Sequence, residues 1–170
     1  MKLSAFFSLE ELTFSETAER NHIDNALPAE LMPNLKRLAY SLDEIRAELE
    51  RPIHINSGFR CPALEKIIVG DAFPRWCGKH GLSPDDPQAW LDYLKTKAHP
   101  RALAADFVSR EYGSPVEICR AIEASVAEFD QLIYEHSWVH FGLASEGVKP
   151  RREVLTLMPD GGYAVGIVER

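Results

Sequence analysis

Three residues in this chain have the types and spacing to do chemistry together: His99, Asp106 and, further on, His140. Asp106 sits inside Ala102-Leu103-Ala104-Ala105-Asp106-Phe107, an apolar run that reads as a buried strand. A carboxylate placed there is costly unless a cation or several donors compensate it, and a divalent metal would do so. His140 lies in a second apolar strand, Trp138-Val139-His140-Phe141. Two imidazoles and one carboxylate, with a fourth position left for water, make a catalytic zinc set. The residues alone leave other readings open. A buried Asp could cap a helix or pair with Arg, a strand His could be a satisfied core residue, and no HExxH-type spacing fixes the geometry.

The bulk properties narrow the setting. At 170 residues the chain is long enough for one domain with a real core. A formal net charge of -7, with no basic stripe, argues against a nucleic-acid partner. The three cysteines, Cys61, Cys77 and Cys119, are far apart and form no CxxC pair, so neither a thiolate zinc knuckle nor a disulfide framework is signalled. Cys119 reads as a small apolar residue in a helix. The N-terminus, MKLSAFFSLEEL, turns acidic too early for a signal peptide, and no stretch approaches a membrane span. The expectation is a protein made in the cytoplasm without its own export signal.

Elements able to position the three residues can be read along the chain. Ser8-Leu9-Glu10-Glu11 has capping-box form, and a second helix start lies at Ser15 or Thr17. Leu31, Leu35, Leu38, Leu42, Ile45 and Leu49 fall on one helical face between Pro28 and Pro52. Residues 52–56 read as a strand, and Pro62 to Val69 as a helix stopped by Gly70. Residues 71–97, rich in Pro and Gly, read as an excursion or lid within the single domain 1–170, with one helix from about Asp85 to Leu94. A helix starting at Ser114-Pro115 should bury Val116, Cys119, Ile122 and Val126. Strands are expected at 102–108, 130–134, 138–143, 153–157 and 163–168, with a turn at Asp160-Gly161-Gly162. Helices first and antiparallel strands last predict an α+β fold, N-terminal helices packed on a small antiparallel sheet.

The order of Ser57-Gly58-Phe59-Arg60-Cys61-Pro62, His99 to Asp106-Phe107, and Trp138-Val139-His140 resembles the M15 family of zinc D-Ala-D-Ala carboxypeptidases and endopeptidases, most of all its short phage and prophage members. The family pattern is Ser-Gly-Tyr-Arg-Ser-Pro, then Ser-x-His-x-x-Gly-x-Ala-x-Asp, then Trp-Val-His. Phe7 to Thr13, Phe129 to Glu135 and Arg151 to Thr156 extend the resemblance over nearly the whole chain. It implies a Hedgehog/DD-peptidase-like fold, Zn2+ held by His99, Asp106 and His140, and Arg60 as a substrate-binding residue. It also implies a peptidoglycan peptide as substrate, reached after release or as a phage-associated protein. A phage virion module that kept the fold and metal but lost turnover is the alternative.

A zinc peptidase also needs a carboxylate to take a proton from water. Glu135 is the candidate, although some relatives place the acid where this chain has Ser137. Strand alternation puts Glu135 on the face opposite His140 unless residues 135–137 turn or bulge. His136 nominally shares the face of His140 and is a candidate for steadying the transition state. Three departures from the family pattern stand out. Lys97 replaces a serine, Ala102 replaces a glycine, and the 71–97 excursion lengthens a connection that is normally short.

Overall fold

The computed structural model describes residues 1–169. Two short N-terminal helices, α1 (Leu9–Thr13) and α2 (Glu16–Arg20), begin at serines whose hydroxyls accept from the backbone N–H of Glu11 and Ala18. Ser15, not Thr17, is therefore the second cap. The long α3 (Met32–Leu49) buries Leu35, Leu38, Ala39, Leu42, Ile45 and Leu49, as the four-and-three spacing requires. It ends on Glu50 in the left-handed region.

The strands β1 (His54–Ser57), β2 (Ala104–Val108), β3 (Gln131–Tyr134), β4 (Val139–Gly142), β5 (Glu153–Leu157) and β6 (Tyr163–Val165) form one sheet, ordered β1-β2-β4-β3-β5-β6. The fold is α+β, with a mostly antiparallel sheet. One pair departs from the antiparallel expectation: β3 and β5 run parallel. The register explains it. β4 ends at Gly142 opposite Gln131, and β5 starts at Glu153, also opposite Gln131. The connection stays at one end of the sheet, so β5 must leave from the end where β3 begins.

α7 (Pro115–Ala124) starts with a capping box between Ser114 and Glu117 and packs Val116, Ile118, Cys119 and Ile122 inward. Val126 does not join them. The helix ends at Ala124, Ser125 is extended, and Val126 is 98% exposed.

Period-2 alternation decides which side of the sheet carries polar groups. Ala105, Phe107, Leu132, Val139 and Phe141 enter the main core with α3 and α7. Asp106 and His140, interleaved with them, are left for the opposite face. That face is walled by α4 (Pro62–Val69) and by the excursion, which folds as two helices rather than one: α5 (Ala72–His80) and α6 (Pro87–Lys95). Pro74 is tolerated in the first turn of α5. The helical cost of Gly78, about 1 kcal/mol, is offset by burying Phe73 and Cys77 of the same helix. With Ala89 and Tyr93 they form a small satellite cluster, edged by Trp76 and Trp90. No helix of the described residues is long and apolar enough to cross a membrane.

Candidate metal centre and active site

Asp106 and His140 are cross-strand partners on β2 and β4, so their side chains emerge side by side. His99 reaches the same point from a 3-10 turn, His99–Arg101, just before β2. That turn closes on Ala102 with φ of 55°, a left-handed conformation that glycine adopts without strain. The glycine of the family pattern has a conformational reason, and this chain accepts the strain with alanine.

All three side chains are buried, and each offers one ligand atom within 4.8 Å of the others. His99 Nε2 lies 3.2 Å from Asp106 Oδ1 and 3.3 Å from His140 Nδ1, and His140 Nδ1 lies 2.8 Å from Asp106 Oδ1. Zinc bonds of about 2.0–2.1 Å at tetrahedral angles leave donors about 3.3–3.4 Å apart. Two of the three edges match that value, and the third is at hydrogen-bond length. The donor set therefore fits zinc.

The tautomer of His99 is fixed from behind. Its Nδ1 donates to the Gly58 carbonyl at 2.7 Å, which can only accept, so Nε2 is left with its lone pair toward the cluster. Gly58 itself is pressed against α1: a Cβ there would meet Leu12 O at 2.2 Å. The next residue, Phe59, donates its N–H to the same oxygen at 2.8 Å. Burial alone would raise the Asp106 carboxyl, but the two imidazoles outweigh it and hold the group well below the usual carboxylate range.

Arg60 is 12% exposed and tightly committed. Its Nε donates to Ser57 Oγ at 2.8 Å, one terminal nitrogen to Asp106 Oδ2, and the other to Glu65 Oε2 at 3.5 Å. Ser57 is paired in register with Asp106, next to an irregularity in β1 between Ile55 and Ser57. Arg60 thus pairs with Glu65 and also lines the cavity.

Glu135 lines the cavity too. The alternation problem is resolved by a four-residue turn, 135–138, between β3 and β4, with His136 at φ of 60°. Trp138 Nε1 donates to Glu135 Oε2 at 2.8 Å and steadies it. Burial, then the Asp106 charge, raise the Glu135 carboxyl above its ordinary value. His136 does not share this setting. It is exposed, its Nε2 pairs with the Leu157 carbonyl at 2.8 Å, and it is not among the residues lining the cavity.

The cavity has a volume of about 310 Å³ and opens over the His-Asp-His cluster. Sequence reading did not single out Glu65, Tyr93 or Tyr163 as part of it, and noted Lys97 only as a departure. Burial lowers the Lys97 ammonium and pushes the Tyr93 phenol up to about 12. Partial burial, then Glu135 and Asp106, raise the phenol of Tyr163 at the rim. Of these, Glu65 carried a local signal, an acid five residues after Arg60 in the first turn of α4.

Comparison with known proteins adds one finding. Residues 5–75 match the family model described as Peptidase M15. No curated protein and no solved structure matches the chain. The matched segment carries Arg60 and ends before His99, so the metal cluster stands on its own geometry. Together, the match and the buried His-Asp-His cluster support an M15-family peptidase, a metallopeptidase of a zinc-dependent family.

Proposed function

We propose that this protein is a zinc-dependent metallopeptidase that hydrolyses peptide bonds in the stem peptides of bacterial peptidoglycan, as a D,D- or L,D-peptidase of carboxypeptidase or endolysin-like type. The observation that carries the reading is the convergence of His99 Nε2, Asp106 Oδ1 and His140 Nδ1 at 2.8–3.3 Å, under a cavity also lined by the half-buried Glu135.

His99, Asp106 and His140 would hold the ion. When bound by two neutral imidazoles and a carboxylate, zinc would supply Lewis acidity and lower the pKa of a water toward about 7. Glu135, raised by burial and steadied by Trp138, takes the proton from the attacking water and returns it to the leaving amine. Arg60 neutralises the second oxygen of Asp106 and offers its remaining N–H groups to a substrate oxygen. The imidazole of His136, occupied by Leu157, takes no step in this scheme.

The test is mass spectrometry of purified peptidoglycan after incubation with zinc-loaded protein. New fragments from a single type of cleaved bond are expected, and their masses name the bond. An unchanged fragment pattern with a fully zinc-loaded protein would overturn the proposal and favour a phage structural module that keeps the metal.

A further inference from the structure

The wall of the cavity contributed by the 71–97 excursion carries two donors that the rest of the protein leaves unanswered. Lys97 lines the cavity and is half-buried, and its ammonium makes no hydrogen bond or ion pair among the described residues. Its ammonium sits 4.4 Å from the centre of the Tyr93 ring. Tyr93 lines the same wall, is 1% exposed, and its hydroxyl is buried without a hydrogen-bond partner. A buried hydroxyl left unsatisfied is uncommon and costly, and so calls for an acceptor. An ammonium has only protons to offer, so the acceptor both groups can share is an anion.

Arg60 is poorly placed to fill that role. Its charge is already matched by Asp106 and Glu65, and its two terminal nitrogens are split between those carboxylates. A bidentate grip on a third carboxylate would require one of them to leave. Lys97 brings a charge that no carboxylate of the described residues answers within ion-pair distance.

We propose that Lys97 and Tyr93 form a receptor for a carboxylate on the peptide substrate and thereby decide which peptides the site accepts. The inference rests on the peptidase reading of the cavity. It also gives the excursion a role: α6 and the residues just after it place the receptor beside the bond to be cut. The carboxylate is either the free C-terminus of the peptide or that of an internal acidic residue.

The test uses zinc-loaded protein and hydrolysis-resistant dipeptide analogues with a reduced central amide. One pair compares a free C-terminal acid with its amide. A second pair, amidated at the C-terminus, compares an internal glutamate with glutamine. In at least one pair the acid should bind about tenfold more tightly than its neutral twin, the size of one hydrogen bond to a charged group. Lys97→Met should collapse that ratio by weakening the acid far more than its neutral twin. Tyr93→Phe, which removes only an unpartnered hydroxyl, should reduce the ratio without loss of folding. The pair that responds identifies the source of the carboxylate. No discrimination by the wild-type protein in either pair, or a ratio that survives Lys97→Met, overturns the receptor. Hydrolysis of the parent peptides is measured alongside. Turnover without discrimination sinks the receptor and leaves the peptidase. Discrimination without turnover does the reverse.

Discussion

The two walls of the cavity are built by different means. On one side, β2 and β4 hold Asp106 and His140 by sheet register, backed by a core that includes Leu42, Phe107 and Phe141. On the other, α5 and α6 hold Tyr93, and Lys97 just beyond, through a satellite cluster of four buried residues. The first wall moves only if the main core moves. The second has few buried contacts and can open by itself. Groups able to hold a metal lie on the rigid side, and the groups proposed to meet substrate lie on the looser one.

Removing one of the three candidate ligands should have the largest effect. His99→Ala is expected to reduce zinc content to background and abolish hydrolysis, measured by elemental analysis and peptide turnover. Next comes Glu135→Gln, which should lower kcat by roughly 10²–10⁴-fold while zinc content stays the same. Unchanged turnover would remove Glu135 from the mechanism.

The two cores can then be compared directly. Leu42→Ala, at a fully buried position, should cost about 2–5 kcal/mol of global stability. Phe73→Ala should instead speed amide hydrogen exchange in α5 and α6 by more than about tenfold, with β2 and β4 unaffected. Equal acceleration in both regions would show that the walls open as one and break the contrast.

The smallest effect belongs to an ion pair that lines the cavity but lies on neither β2 and β4 nor α5 and α6. Arg151 donates to Asp130 through its backbone N–H and its guanidinium, and its hydrogen bonds hold the Asp130 carboxyl below the usual range. Because the folded-state value is depressed, the stabilisation is present above the ordinary carboxylate range and lost as pH falls through the depressed one. Arg151 is well exposed, so solvent screening keeps the contribution below about 1 kcal/mol. Thermal melts of the wild type and Asp130→Asn should differ slightly at neutral pH and converge in acid.

The rigid wall was the more legible of the two in the sequence. Strand alternation and the cost of an interior carboxylate pointed to Asp106, and the resemblance supplied the order of His99, His140 and Arg60. Helices α1 to α4 followed from period and caps, whereas α5 did not. What pattern could not supply was meeting in space. Tyr93 looks like any core aromatic at helical spacing until its hydroxyl is found without a partner. The position of Glu135 depended on whether four residues formed a turn, which alternation alone could not decide. The parallel pairing of β5 with β3 follows from the end at which a long connection stays, and no residue in that connection encodes it locally.

The close approach at Gly58 has a consequence for engineering. Its carbonyl sets which nitrogen of His99 is bare, and its α-hydrogen side lies flush against Leu12 O in α1. The first thirteen residues, remote from any ligand in sequence, thus act as a backstop for one proton. Tags or truncations that shift α1 would be felt at the imidazole, and a single added methyl at position 58 would push from the other side.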